Sequence, residues 1–237
     1  MGIDLLLFNK LVKHRGNKRL LSLGYPDLLV NEAQIKAACG HLNFSHDPKE
    51  KALAAWHGWN GPIFSTHEVL CDLGYEPTYL DCYAFNGREY VFDLNAHLST
   101  KNTTELGQFD LICDFGTLEH VFSLPTALSN ISLLSKPGTV ILHSNPLNKP
   151  NHGFYSFSPT FYKDFWEANG GQVEDIYIYS TKNLRAIEGA ILDQSQYTGR
   201  FKVPEEMNIF AEVLIKGPIL APVVMPIQTK YKEKAVE

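Results

Sequence analysis

The stretch that decides the fold runs from Phe109 to Gly171 and reads FDLICDFGTLEHVFSLPTALSNISLLSKPGTVILHSNPLNKPNHGFYSFSPTFYKDFWEANGG. It opens with a short apolar run, Phe109–Cys113, which is typical of a strand buried on both faces. A polar loop follows, and then apolar residues recur at helical spacing from Pro125 to Leu134, with the proline where a first helical turn tolerates it. The turn Lys136–Gly138 ends this helix.

The same order then repeats. Thr139–His143 predicts the next strand, Asn145–Asn148 opens a second polar loop, and Ser158-Pro159 begins a second helix. Strands that alternate with helices predict right-handed crossovers and a mostly parallel sheet. Because ligands of such sheets bind beyond the carboxyl ends of the strands, we expect both polar loops to border the site.

The alternation continues on both sides of this stretch. A helix is predicted over Leu184–Ile191, between the last two strands. Further strands are predicted at Arg19–Leu23, Pro77–Tyr83, Tyr90–Phe92, Gln172–Tyr179 and Met207–Ile215. The chain of 237 residues is long enough for one large α/β domain with a complete core.

Composition narrows the classes of partner. With 21 basic and 26 acidic residues the net charge is −5, so no basic field favours nucleic acid. No apolar run approaches the ~18 residues of a membrane span, and the N-terminus has no secretion-signal pattern. The four cysteines have neither paired nor metal-ligand spacing, which favours reduced thiols and a cytoplasmic location.

The quoted residues also carry a family resemblance. FDLICDFGTLEHV, a helix and LLSKPGTVIL resemble the fourth strand, following helix and fifth strand of class I S-adenosylmethionine-dependent methyltransferases. The loop His152–Pro159 is similar to the HGFYxFSP loop of bacterial members associated with sugar, polysaccharide or natural-product clusters. The resemblance covers roughly residues 18–216 and is specific only over Phe109–Gly171.

The resemblance implies both a fold and a cofactor. The expected fold class is α/β, with a Rossmann-like, doubly wound, mostly parallel seven-stranded sheet. Its last strand is expected to be antiparallel, and helices cover both faces. The expected cofactor is S-adenosyl-L-methionine.

The resemblance also implies how the first strand holds the cofactor. In the family this strand ends in an acidic residue followed by a glycine-rich turn. Here Gly24 is retained, but Ser22 occupies the acidic position and Pro26 stands near the second glycine position. Tyr25 and Asp27 complete the candidate cofactor-binding turn, and Asp27 could supply the displaced carboxylate. An ordinary strand exit is the alternative interpretation of this turn.

Further cofactor-binding residues follow the next strands. By resemblance, Asp81 accepts both ribose hydroxyls, since a carboxylate offers two acceptor oxygens and no donor; a solvated strand-end acid is the alternative. The resemblance also implies that Asp93 and Leu94 flank the adenine and that the loop containing Asp114 and Gly116 lies nearest the transferred methyl group.

Methyl transfer needs an oriented nucleophile, and a hydroxyl acceptor benefits from a general base. His152 and His120 are the candidate catalytic residues, because imidazole titrates near neutrality. No metal site is predicted; convergence of His120, His143 and His152 on a divalent ion is the alternative, and His143 is more typical of a core histidine. The candidate substrate-binding residues are Glu119, Asn145, Tyr155 and Ser158.

Together these features predict a methyltransferase that acts on a small hydroxylated acceptor, such as a sugar or nucleotide-sugar oxygen. A non-catalytic methyltransferase-like binding or assembly module is the alternative, because the first turn departs from the family pattern. One domain over residues 1–237 is expected, with an N-terminal helix (1–17), a lid-like insertion (31–62) and a C-terminal tail (217–237). The expected partner is a small molecule, with neither nucleic acid nor membrane, and a homo-oligomer is possible.

Overall fold

The computed structural model describes residues 2–40, 45–50, 59–180, 202–203 and 206–232, together with the backbone of 189–191. The strands are β1 (Gly2–Ile3), β2 (Lys18–Leu23), β3 (Asp27–Leu28), β4 (Tyr75–Asp81), β5 (Glu89–Val91), β6 (Leu111–Phe115), β7 (Val140–Pro146), β8 (Gly171–Tyr179), β9 (Gly189–Ile191) and β10 (Asn208–Ile215). The helices are α1 (Leu5–Lys13), α2 (Glu32–Cys39), α3 (Thr66–Asp72), α4 (Thr100–Leu106), α5 (Leu124–Leu133), α6 (Pro159–Ala168) and α7 (Thr229–Lys232).

The main sheet has the strand order β5-β4-β2-β6-β7-β10-β8-β9. Strands β5, β4, β2, β6 and β7 are mutually parallel, whereas β10 runs antiparallel to both β7 and β8. The predicted fold class is therefore confirmed. The sheet gains one strand that was not predicted, because Gly189–Ile191 pair with β8 where a helix end was expected; residues 181–188 of that expected helix lie outside the described part.

The central strand β6 explains why this part of the sequence is so apolar. All five of its residues are buried. Ile112 packs into one hydrophobic cluster with Leu21 and Ile141, whereas Leu111 faces the opposite cluster with Leu20 and Leu142. Helices cover both faces, so a strand in this position must be apolar on both sides.

The N-terminal segment adds a small second sheet. Strand β1 pairs in parallel with β3, which follows the turn after β2. Asp4 caps helix α1 by accepting the Leu7 N–H at 3.0 Å. The helix then buries Leu7, Phe8 and Leu11 against the domain. This pairing holds the chain's beginning close to the carboxyl ends of the parallel strands.

Two peripheral segments complete the described structure. In the expected lid-like insertion, α2 begins with a capping box between Asn31 and Gln34, and Glu50 forms an isolated bridge with Ile63; residues 41–44 and 51–58 lie outside the described part. The tail as far as residue 232 packs on α6, where Asp164 accepts the Thr229 N–H at 2.8 Å. No described helix is long and apolar enough to cross a membrane.

Candidate active site

The loop after β6 is fixed by a buried carboxylate. Asp114 lies inside the protein, and its Oδ1 atom accepts the N–H groups of Thr117 at 3.2 Å and Leu118 at 3.1 Å. These bonds fold Leu118–His120 into a single 3₁₀ turn. The turn places Glu119 and His120 at the carboxyl end of the sheet.

The other oxygen of Asp114 binds a second buried group. Its Oδ2 lies 2.9 Å from Nδ1 of His143 on β7, and the Nε2 of His143 accepts the indole N–H of Trp166 at 3.1 Å. Because an indole nitrogen can only donate, the Nδ1 atom of His143 carries the proton and donates it to Asp114. The two residues therefore lie beneath the site, and His143 does not converge with the other two histidines.

A second buried chain orients Glu119, which is 1% exposed. Its Oε2 accepts the side-chain N–H of Asn145 at 3.0 Å, and the Oδ1 of Asn145 accepts the hydroxyl of Tyr162. Tyr162 lies on α6 and is fully buried. This chain of hydrogen bonds joins the ends of β6 and β7 through Oε2 of Glu119. The other oxygen, Oε1, is not part of it.

The loop after β7 closes directly on this turn. The carbonyl of Glu119 accepts the N–H groups of Phe154 at 2.7 Å and Tyr155 at 3.3 Å. A Cβ atom at Gly153 would lie 2.7 Å from that carbonyl oxygen, so only glycine allows the approach. The two predicted polar loops are therefore joined at Glu119, which explains the glycine in the HGF sequence.

This closure brings both candidate catalytic histidines to one carboxylate. The Nε2 atoms of His152 and His120 lie 3.6 Å and 3.9 Å from Oε1 of Glu119, and their ring centroids are 5.4 Å apart. Both imidazoles are about half exposed. Partial burial lowers the pKa of His120; Glu119 opposes this effect and His152 adds to it.

The group faces a cavity of about 660 Å³, a size typical of small-molecule sites. Its charged lining includes Lys149, whose pKa is lowered by burial, and Asp4, whose pKa burial raises to about 6. Neither was predicted as a site residue; Asp4 reaches the cavity through the β1–β3 pairing, which has no strong sequence signal. The lining residues are Gly2, Asp4, Leu29, Phe115, Gly116, Glu119, His120, Ser144, Asn145, Pro146, Lys149, Asn151, His152, Tyr179, Glu206 and Asn208.

The expected cofactor-binding residues divide into two groups. Gly116, with φ of 92°, lines the cavity. Gly24, with φ of 84°, donates its N–H to the carbonyl of Leu80 at 2.7 Å, so the turn after β2 lies against the end of β4, where Asp81 stands. Asp93 follows β5 and is exposed, while Leu94 after it is buried. Of the expected cofactor-binding residues, Gly24, Asp81, Asp93 and Leu94 do not line the cavity.

Three side chains of the turn after β2 bond or pack within the protein. The Ser22 hydroxyl donates to the carbonyl of Gly24 at 2.8 Å. Tyr25 is buried, with its ring 4.7 Å from that of Tyr79, and Asp27 is 1% exposed within β3. The position that is acidic in the family thus carries a hydroxyl that closes its own loop, and the Asp27 carboxylate further along the chain is buried.

Two of the expected substrate-binding residues lie outside the cavity. The Tyr155 hydroxyl donates to the carbonyl of Phe122 at 2.7 Å. Ser158 precedes α6 and pairs its hydroxyl with that of Thr160 at 2.9 Å. Glu119 and Asn145, by contrast, both line the cavity together with His120 and His152.

No protein-family model matches the sequence, and no curated protein matches it. Among solved structures, the chain is similar to TehB from Haemophilus influenzae, at 11% identity and a TM-score of 0.47, over 88% of this chain and 60% of TehB. A S-adenosylmethionine-dependent methyltransferase from Clostridium acetobutylicum ATCC 824 gives 10% identity and a TM-score of 0.39, over 90% of each chain. A mutant of the 16S rRNA (adenine(1408)-N(1))-methyltransferase from Catenulisporales acidiphilia gives 14% and 0.37, over 96% of each chain.

The chain thus spans less than two thirds of the length of TehB. With every TM-score below 0.5, these similarities carry no argument about what the protein binds or does. The chain's own residues fit the expected cofactor in part: two left-handed glycine turns and two strand-end carboxylates lie at neighbouring strands, but the first turn lacks its acid.

Proposed function

We propose that the protein is an S-adenosylmethionine-dependent methyltransferase that transfers a methyl group to a hydroxyl of a small acceptor, a sugar or nucleotide sugar. One relationship carries the proposal. The Gly24 turn, Asp81 and the Gly116 loop follow three strands that are side by side in the sheet, β2, β4 and β6. Carboxyl ends of adjacent parallel strands form one ligand edge.

The strand ends would divide the cofactor between them. Gly24 and Gly116 leave room for close backbone approach, and the Asp81 carboxylate would accept the ribose hydroxyls. Asp93 and Leu94 would flank the adenine. When bound, S-adenosylmethionine supplies a methyl group activated by its sulfonium. The cavity beyond Gly116 would then hold the acceptor.

The acceptor side supports hydroxyl chemistry. His152 and His120 present half-exposed imidazoles to the cavity, and either could receive the proton of an acceptor hydroxyl. Glu119 would orient them and bind a hydroxyl of the acceptor, and Asn145 would fix the carboxylate. Asp114 would act only by positioning the turn that carries Glu119 and His120.

The direct experiment is a turnover assay with S-adenosylmethionine and a panel of sugars and nucleotide sugars, which follows the release of S-adenosylhomocysteine. The proposal expects acceptor-dependent release. It also expects His152→Ala to lower turnover far more than cofactor affinity. Release that does not depend on any acceptor, or equal turnover in the variant, would remove the proposed acceptor chemistry.

One observation favours a second candidate function. The Ser22 hydroxyl closes the turn after β2, and Asp27 is buried in β3, so this turn offers the cofactor less than the family pattern does. A non-catalytic binding or assembly module would keep the fold without the cofactor. Such a protein would bind neither S-adenosylmethionine nor S-adenosylhomocysteine, which separates the two candidates.

A further inference from the structure

Three side chains at the mouth of the cavity form a set of metal ligands. Glu119, His120 and His152 each offer one ligand atom, and these atoms all lie within 4.8 Å of one another. It is the only such group of three among the residues that the structure describes. We propose that Glu119, His120 and His152 bind one divalent first-row transition ion, with Zn²⁺ as the best match.

The distances suit a single ion. At bond lengths of about 2.1 Å, two ligand atoms of one ion lie roughly 3 to 3.5 Å apart. The two histidine nitrogens lie 3.6 Å and 3.9 Å from Oε1 of Glu119, and all three ligand atoms lie within 4.8 Å of one another. Rotation of the two half-exposed rings would bring them to the spacing of a single ion. Two imidazoles and one carboxylate are a ligand set that proteins use for zinc with an open position.

The carboxylate is already oriented for this role. Asn145 binds Oε2 of Glu119 from beneath, and the Tyr162 hydroxyl in turn binds Asn145. Oε1 is left on the side of the histidines. Partners of this kind orient metal ligands and contribute about 10- to 100-fold to metal affinity.

The backbone holds the two ligand-bearing loops together independently of any ion. Phe154 donates its N–H to the Glu119 carbonyl at 2.7 Å, and Gly153 has no room for a side chain against the same residue. His152, one residue away, is thereby fixed beside Glu119. The cavity around them also carries the carboxyl groups of Asp4 and Glu206 against the ammonium group of Lys149, so carboxyl groups outnumber ammonium groups in its described lining.

The binding of the ion does not depend on the proposed function. The catalytic role of a bound ion does rest on the proposed function. All three ligands line the cavity in which an acceptor would bind, so open positions of the ion would face an acceptor hydroxyl. A bound Zn²⁺ lowers the pKa of such a group and would replace free imidazole as the means of activation. The two histidines would then act as ligands.

Zinc titration of the untagged, chelator-treated protein tests the inference. The wild-type protein is expected to bind one Zn²⁺, and Mg²⁺, which prefers oxygen ligands, is expected to compete poorly. His152→Ala and Glu119→Gln should each weaken zinc binding at least ten-fold. His97→Ala, which removes an exposed histidine outside the cavity, should leave it unchanged.

The inference is overturned if the wild-type protein binds no zinc at millimolar concentration, or if His152→Ala binds zinc as tightly as the wild type. Should Glu119→Gln fail to fold, His152→Ala decides alone, because that side chain is 40% exposed. Titration with S-adenosylhomocysteine on the same samples separates the proposals. Zinc binding without cofactor binding supports this inference and contradicts the proposed function, and the reverse result does the opposite.

Discussion

Asp114 and His143 face each other inside the protein, with Oδ2 of one 2.9 Å from Nδ1 of the other and neither side chain exposed. The Asp114 carboxylate joins β7 to the turn that carries Glu119 and His120. We expect Asp114→Ala to lower the free energy of unfolding by about 3 kcal/mol, because it leaves buried N–H groups without acceptors. Urea denaturation measures this; Asp47→Ala, which removes only an exposed acid, should stay within about 0.5 kcal/mol. Equal effects would contradict a structural role for Asp114.

Asp81 and Glu76 lie at opposite ends of the same strand, β4, so a substitution of Glu76 serves as the control for a substitution of Asp81. If Asp81 accepts the ribose hydroxyls, Asp81→Ala should weaken S-adenosylhomocysteine binding by about 10- to 100-fold, the loss expected for hydrogen bonds to a charged group. Glu76→Ala, at the exposed amino end, should have no effect. Calorimetric titration of both variants provides the measurement. Unchanged affinity in Asp81→Ala would remove this residue from the cofactor site.

Asp4 should make the protein less stable as the pH rises. Burial raises the pKa of Asp4 to about 6. The N–H groups of Leu7 and Leu6, the charge of Lys149 and the Tyr179 hydroxyl lower the pKa, but burial outweighs them. The folded protein then keeps a proton that the unfolded chain releases from about pH 4, so the free energy of unfolding falls between pH 4 and 6, by about 3 kcal/mol in total.

Asp4→Asn keeps a cap for α1 but removes the titration. This variant should be more stable than the wild type at pH 8, by about 2–3 kcal/mol, and at pH 4.5 by only about 1 kcal/mol. Urea denaturation at both pH values provides the measurement. A stability difference that is the same at both would mean that Asp4 does not titrate as described.

Glu212 should have the opposite pH dependence. Burial alone would raise its pKa, but hydrogen bonds from His14, Lys10 and Lys13 outweigh burial and hold the pKa well below the usual range. The contribution of Glu212 to stability is therefore complete above its unfolded pKa, near 4.5, and is lost as the pH falls toward the folded value.

Glu212→Gln should accordingly lower the free energy of unfolding by about 3 kcal/mol at pH 7, since it removes the main charged partner of Lys10, whose side chain is only 13% exposed. The difference from the wild type should shrink at pH 3. Glu174→Gln serves as the control, because Glu174 is exposed and its ion pair within the described part of the chain is with the exposed Lys216, at 3.5 Å. A difference that is constant from pH 7 to pH 3 would contradict this account.

The sheet could be predicted from sequence because its strands are buried on both faces. Such strands leave continuous apolar runs, as at Leu111–Cys113, and the turns between them carry glycine and proline. The polar loops after β6 and β7 were also expected at the ligand edge, and Glu119, Asn145, His120 and His152 do line one cavity. Parallel topology alone brings such loops together.

The rest depends on pairings that leave no periodic signal. Strands β1 and β3 have two residues each, and their pairing buries Asp27 and brings Asp4 to the cavity. In the sequence, Asp114 has the pattern of a site residue. In the structure its oxygens bind Thr117, Leu118 and His143, and these partners depend on the three-dimensional packing around it.

The proposed methyltransferase function depends on whether the ends of β2, β4, β5 and β6 bind S-adenosylmethionine. Calorimetric titration of the wild-type protein with S-adenosylhomocysteine measures this most directly. We expect one molecule to bind per chain with a dissociation constant in the high-micromolar range or tighter. The absence of any binding heat at high-micromolar ligand would contradict the proposed methyltransferase function.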